Sequence, residues 1–320
     1  MSKIDACTKA YMSNPRFFSD AFNYYFFQGE QVVKPDELSV QDITELAIPY
    51  GEAGDNIIIP TQKYRDILKL WTVMTSQDAT YMLLGIENQA NIHYAMPIRN
   101  MLYDALNYSS QVAQIGRRNR KKKDTKEDEF LSNYKKEDKV KPIFTLVIYW
   151  GTKDWDGPKS LYEMMDIKAD MKDIVQKYVN DYKLHIIVPN EIENFEQFST
   201  ELGFCLRYIR FSSNKAKLKE LLEEFAEVYS SFDKESGDLI QVVTNTKLPK
   251  EAKKEEAIDM CKAIDDMMED ARMEGAEKEA RAMVRKLFLN CADLELVKKS
   301  VTVLKAEEID SIYEEVCGKH

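Results

Sequence analysis

The chain has 320 residues, of which 44% are hydrophobic and 11% aromatic, which is enough apolar material for a folded core and excludes a disordered chain. Its formal net charge is -10, so binding to nucleic acid would need a local basic groove. No apolar run approaches the roughly 18–20 residues of a membrane span, and no N-terminal signal sequence is visible. Five scattered cysteines without a CxxC pair suit a reducing compartment. We therefore expect a cytoplasmic protein without a membrane segment.

The N-terminal part contains an aromatic segment at residues 15–28. Phe18, Phe22, Tyr25 and Phe26 recur there at three- and four-residue spacing, which predicts a largely buried helix. A turn-rich, acidic passage follows to about residue 54. Residues 56–60 and 64–71 then predict two strands.

Polar side chains interrupt the next apolar runs. Alternation along residues 64–71 places Asp66 on one face with Leu68 and Leu70, and alternation along residues 81–89 places Glu87 and Gln89 on one face of the following strand. Polar groups that point into an apolar interior are costly unless they are paired or hold a metal. If the two strands pair in register, Asp66 and Glu87 come close together. The pattern therefore predicts a Mg²⁺ site beside a phosphodiester.

A helix and a basic run follow these strands. Residues 97–115 predict a helix on which Arg99 and Tyr103, four residues apart, share a face. The run 117–123 carries six positive charges in seven residues. Together with the mixed-charge residues up to 141, it predicts a long solvated loop.

The rest of the chain contains one further αβ passage and a helical tail. Residues 143–150 predict a strand, a tight turn at 155–158 precedes a predicted helix from Ser160, and residues 183–188 predict a last strand. Beyond about residue 193 the apolar period is helical, with predicted helices at 251–288 and 292–316.

The order helix, strand, strand with Asp, strand with Glu-x-Gln, helix, strand resembles the PD-(D/E)xK nuclease core. Within that superfamily the chain is similar to the Rpn group of recombination-promoting nucleases, which are also catalogued as transposases. The matching segments are 64–66, 84–89, Arg99 with Tyr103, and 144–161. The resemblance spans roughly residues 17–210. The superfamily favours Lys where this chain has Gln89, whereas Gln is common in the Rpn group.

The resemblance implies an α/β fold: a restriction-endonuclease-like core at 15–210, with a mixed sheet flanked by helices, and a helical C-terminal region at 211–320. It also implies a catalytic set of Asp66, Glu87 and Gln89. Asp66, Glu87 and the backbone carbonyl of Asn88 would hold Mg²⁺, for which Mn²⁺ can substitute. The amide of Gln89 would orient the attacking water, because it carries no positive charge to stabilise the transition state.

Other residues would support this chemistry. Asp20, on the first predicted helix, is a candidate auxiliary acid, and the Arg99 guanidinium is a candidate phosphate clamp. The DNA backbone would be bound by the basic run, which consists of Arg117, Arg118, Arg120, Lys121, Lys122 and Lys123. We expect a metal-dependent DNA endonuclease connected with recombination or mobile elements, and the charged helical tail suits a homodimer.

Simpler interpretations remain open for several of these residues. Asp66 taken alone would more often be a surface residue or a partner of Arg65 or Lys69, and Arg99 with Tyr103 also suits a structural pair on a helix. Four acidic residues follow the basic run, as in many solvated loops: Asp124, Glu127, Asp128 and Glu129. The alternative function is a catalytically inactive nuclease-fold protein that binds DNA or protein, and the net charge of -10 favours it.

Overall fold

The computed structural model of the chain describes residues 2–41, 66–74, 79–122, 133–246 and 257–317. The chain forms two compact units. The first consists of residues 1–224 with 233–246, and the second of residues 225–232 with 247–320.

Two helices open the first unit. Helix α1 spans Lys3–Ser13 and begins at a capping box, in which Ser2 and Asp5 bond each other's backbone N–H groups. Helix α2 spans Pro15–Phe27, with the Asn14 side chain as its cap and proline in its first turn. The structure confirms the predicted aromatic helix to within one residue. Helix α1 is not among the predicted elements.

The centre of the first unit is a five-stranded mixed sheet. Its strands, in spatial and chain order, are β1 (Leu38–Val40), β2 (Ile67–Met74), β3 (Ala79–Gln89), β4 (Ile143–Tyr149) and β5 (Ile186–Ile187). The pairs β1–β2 and β2–β3 are antiparallel, whereas β3–β4 and β4–β5 are parallel. Helix α3, at Met96–Lys122, connects β3 to β4. The predicted α/β class, with a mixed sheet flanked by helices, is confirmed.

The strand register assigns each side chain to one face of the sheet. Ile67 lies opposite Ile86 and Leu68 opposite Gly85, so Asp66 and Leu68 share a face with Glu87. Lys69 lies on the other face, where its Nζ donates to the Ser13 carbonyl at 2.8 Å. The register therefore excludes the pairing of Asp66 with Lys69.

Both faces of the sheet are covered by helices. On the face of Lys69, α2 contributes Phe18, whose ring lies 4.7 Å from the Lys69 ammonium, and Phe26, which packs edge-on against Phe144 of β4. On the face of Glu87, the first residue of α3 packs into a buried apolar cluster. That cluster consists of Met96, Val147, Tyr149, Trp155, Leu184, Ile186 and Val188.

The basic run is helical rather than a loop as predicted. Helix α3 continues through Arg117–Lys122, while Lys123 lies outside the described residues, as do the predicted strand at 56–60 and Tyr64-Arg65. Arginine and lysine are good helix formers, and their charges stabilise the negative C-terminal end of a helix. In addition, Asn119 donates to the Asn133 carbonyl at 2.9 Å and to Asp138 at 2.6 Å, which holds the last turns in place.

The predicted helix from Ser160 is wrong. Ser160 instead forms an isolated bridge with Lys183, and the backbone bonds of residues 159 and 161 go to residues 184 and 182. A helix that begins at Ser160 would use the Lys159 carbonyl for its first bond. The segment instead forms short turns at Tyr162–Met164 and Ala169–Met171, followed by helix α4 at Lys172–Tyr178. The predicted strand at 183–188 is correspondingly reduced to β5.

The remaining elements follow in chain order: α5 (Glu201–Phe211), α6 (Lys215–Glu224), α7 (Ala226–Tyr229), β6 (Phe232–Asp233), α8 (Lys234–Thr244), β7 (Ala257–Ile258), α9 (Met260–Leu289), α10 (Leu294–Ser300) and α11 (Ala306–Cys317). The first unit contains α5, α6 and α8, so it extends beyond residue 210. The second unit has its own apolar core, formed by Val284, Phe288, Val297, Leu304, Ile309 and Ile312.

The last predicted helix is divided in two, because residues 301–305 separate α10 from α11. Among the helices that the structure describes, none is long and apolar enough to cross a membrane.

Lys69 provides a test of the sheet packing. Its side chain is 2% exposed, and burial lowers the pKa of its amine from 10.5 to about 8. Because the unfolded chain binds this proton more tightly, stability should rise as the pH increases from about 8 towards 10.5. We expect Lys69→Met to raise the free energy of unfolding at pH 7 by on the order of 1 kcal/mol and to remove this rise.

Urea unfolding of both proteins between pH 7 and pH 10 measures the effect. The control is Lys217→Met, which changes an exposed lysine. Loss of stability at pH 7 in Lys69→Met alone would contradict the proposed cost of burial.

Candidate active site

Two carboxylates lie where β2 begins and β3 ends. Continuing the register of Ile67 and Ile86 by one residue places Asp66 opposite Glu87 on one face. The Asp66 Oδ2 accepts the backbone N–H of Asn88 at 2.8 Å, and the Glu87 side chain is 0% exposed. The structure thus brings together the two acidic residues that the sequence predicts to lie side by side.

Arg99, in the first turn of α3, is the cation of this site. Its Nη2 lies 3.4 Å from the Glu87 Oε2, and its Nε donates to the Tyr103 hydroxyl at 3.0 Å. Burial by itself would lower the pKa of Arg99, but the Glu87 charge and the hydrogen bond to Tyr103 raise it above its ordinary value. The hydrogen bond confirms that Arg99 and Tyr103 share a helix face, and the ion pair directs Arg99 to the carboxylates.

Opposing effects act on the ionisation of Asp66. Burial raises the pKa of Asp66, and the hydrogen bond from Asn88 and the charges of Arg99 and Lys9 offset this only in part. Carboxylates such as those of Asp66 and Glu87 are ligands that Mg²⁺ prefers. Of the residues that the structure describes, none form a group of three or more His, Cys, Asp or Glu side chains suited to a metal ion. Mg²⁺ keeps several waters, so two carboxylates with a backbone oxygen fit its needs.

The backbone carbonyl of Asn88 lies on the side of β3 that faces Asp66. Its N–H points towards β2, to Asp66. The N–H and C=O of one strand residue point to the same neighbouring strand, so its carbonyl also lies on the Asp66 side of β3. This is the position expected for an additional oxygen ligand.

The end of β3 is fixed to β4 by Trp150, which the sequence reasoning did not single out. The Trp150 backbone N–H donates to the Gln89 carbonyl at 2.8 Å, and its Nε1 donates to the Asn88 Oδ1 at 2.9 Å. Gln89 itself is 8% exposed and shares the face of Glu87 by strand alternation. The only sequence signal for Trp150 is its place at the end of the apolar run 143–150.

Asp20 has a different environment. It lies on α2, which packs on the sheet face opposite Glu87, and is 0% exposed. Its two oxygens accept four hydrogen bonds, from the backbone and hydroxyl groups of Ser199 and Thr200, at 2.6 to 3.1 Å. These bonds join α2 to the start of α5, which gives Asp20 a structural role. Its auxiliary catalytic role stays a prediction.

Comparisons of the chain with protein-family models, curated proteins and solved structures found no match.

Removing the charge of Asp66 should stabilise the fold in the absence of metal. Because burial raises the pKa of this carboxyl, its ionised form is disfavoured in the folded state at neutral pH. Asp66→Asn keeps an oxygen to accept the Asn88 N–H, and we expect it to raise the free energy of unfolding by about 1 kcal/mol. Urea unfolding at pH 7 in EDTA measures this change.

The matched control is Asp36→Asn, which alters an exposed aspartate and should leave stability unchanged. A clear destabilisation by Asp66→Asn would mean that its carboxylate is better solvated or better paired than this site implies.

Proposed function

We propose that the protein is a metal-dependent DNA endonuclease of the PD-(D/E)xK type that hydrolyses phosphodiester bonds with Mg²⁺ or Mn²⁺. The observation that carries the proposal is the placement of Asp66 opposite Glu87, on one face of two adjacent strand ends, beside Arg99. A connection with recombination or mobile elements, as in the Rpn group, is part of the proposal.

The order of elements supports this fold assignment. A helix (α2) precedes an antiparallel strand pair (β2 and β3), and α3 then leads to a strand parallel to β3. The acidic residues occupy the start of β2 and the end of β3, in the order that the resemblance implies. Adjacent strand ends on a rigid sheet bring several side chains to one substrate position.

Each residue of the site has a task in the proposed hydrolysis. Asp66, Glu87 and the Asn88 carbonyl would hold the cation, which when bound supplies Lewis acidity and lowers the pKa of a coordinated water. Gln89 would orient the attacking water by its amide. Arg99 would stabilise the phosphate oxygens, since its guanidinium can donate two parallel bonds, while its side chain remains 29% exposed towards solvent.

The second candidate is a binding or regulatory protein on a nuclease-like fold. The ion pair of Arg99 with Glu87 favours it, because a guanidinium neutralises part of the charge that a metal would otherwise neutralise. The overall charge of -10 also favours protein partners over nucleic acid.

Plasmid nicking distinguishes the two candidates. We expect nicking in Mg²⁺ and in Mn²⁺, none in EDTA, and a loss of at least about 1000-fold in a variant with Asp66→Asn and Glu87→Gln, because the charges that hold the cation are gone. The control variant combines Asp173→Asn and Glu220→Gln, two exposed acids, and should nick like the wild type. If the double site variant nicks equally well, the site is misplaced, and if no protein nicks DNA, the binding candidate is favoured.

Substitution of Gln89 tests whether its side-chain amide orients the attacking water. We expect Gln89→Leu, which has a similar size and no polar group, to reduce the single-turnover nicking rate about 100-fold without changing DNA affinity. Gln89→Lys places at this position the residue favoured in the wider superfamily and should retain activity. Equal rates for Gln89→Leu and wild type would remove Gln89 from the catalytic set.

A further inference from the structure

Helix α3 connects the candidate active site to the basic run. Arg99 lies in its first turn and Arg117 eighteen residues later, which corresponds to about 27 Å along the helix axis. Eighteen residues make five turns of an α-helix, so Arg117 lies on the same side of α3 as Arg99. Lys121 follows one turn further along that side. The basic end of α3 is therefore distant from the carboxylates but aligned with them.

A second chain segment adds positive charge at this end. Residues 139–141 lie against α3, where Gln111 accepts the Lys141 N–H at 2.7 Å and donates to the Lys141 carbonyl at 3.2 Å. A groove of about 280 Å³ is lined here by Arg118, Lys139 and Lys141 together with Gln111, Gln114 and Ile115. Lys139 and Lys141 belong to the segment that the sequence predicts as a solvated loop.

The surface formed by residues 111–122 and 133–141 has a charge opposite in sign to that of the whole chain. Residues 111–122 and 133–141 together contain nine lysines and arginines and two acids, Glu137 and Asp138, in a chain of net charge -10. Arg118 lies 3.5 Å from Asp138 and remains 60% exposed, and Arg117, Arg120, Lys121 and Lys122 are exposed. A local concentration of cations on an acidic protein attracts a polyanion to this surface in preference to others.

We infer that the C-terminal end of α3 and residues 139–141 form a second binding site for the backbone of duplex DNA, separated from the candidate active site by about eight base pairs. The distance of about 27 Å along α3 corresponds to about eight steps of 3.4 Å along one DNA strand. This inference rests on the proposed function, because the active site fixes where the other end of the duplex lies. It predicts a minimum length for tight binding and rapid cleavage.

DNA affinity as a function of duplex length tests the inference. Fluorescence anisotropy of the full chain in Ca²⁺ is measured with labelled duplexes of about 6 and about 16 base pairs. A duplex shorter than about eight base pairs cannot reach both sites, so we expect binding at least about tenfold tighter to the longer duplex, beyond the gain from its larger number of binding positions.

A charge-reversal variant locates the second site. Arg117→Glu with Lys121→Glu should remove the length-dependent gain, leave affinity for the shorter duplex nearly unchanged, and reduce the slope of log affinity against log salt by about 2. The control variant, Lys215→Glu with Lys217→Glu, makes the same charge change at two exposed lysines of α6 and should retain the gain. A gain that survives in the Arg117 and Lys121 variant would overturn the inference, as would equally tight binding to a single strand of about 16 nucleotides.

The same experiment separates this inference from the proposed activity. In the variant with Asp66→Asn and Glu87→Gln, the further changes Arg117→Glu and Lys121→Glu should still weaken binding to the longer duplex, because binding at the basic end does not need the carboxylates. If wild type shows the gain but does not nick DNA, the endonuclease proposal fails and the second site stands. If wild type nicks DNA but neither length nor charge reversal changes affinity, the second site fails alone.

Discussion

The antiparallel register of β2 and β3 is the constraint on which the candidate site depends. A shift of one residue would move Asp66 to the opposite face, since side chains alternate along a strand. The observed pairing of Ile67 with Ile86 prevents this shift, because both side chains are buried on the face of α1 and α2. The apolar side chains on one face of each strand thus fix the position of the acidic side chains on the other face.

The two sheet faces differ in chemistry. The face towards α2 is filled by aromatic rings and buries Lys69, whose ammonium lies over Phe18 and donates to a helix carbonyl. The face towards α3 holds Asp66, Glu87 and Arg99 close to the apolar cluster around Met96. Burial raises the pKa of Asp66 on this face, so the ionised form of this carboxyl is disfavoured in the folded state.

Helix α3 combines three tasks in one element. Its first turn places Met96 in the core and Arg99 at Glu87, its middle covers the sheet, and its last turns carry the basic run. Because a helix is a stiff rod with a fixed rise per residue, the spacing between the two charged ends is set by the sequence alone once the segment is helical. The proposed duplex length follows from that spacing.

The sequence by itself determined α2, β3, β4, the start of α3 and the faces of Asp66, Glu87 and Gln89, because strand alternation and helical spacing are local and depend only on residue order. Only the tertiary structure decided the rest. Helix α3 continues through the basic run, and Ser160 forms a bridge with Lys183 in place of a helix. Asp20 is buried and accepts hydrogen bonds from Ser199 and Thr200, and Trp150 donates a hydrogen bond to Asn88. The last three outcomes depend on partners distant in sequence, which no local pattern can identify. The last turns of α3 combine local helix propensity with the contacts of Asn119 to Asn133 and Asp138.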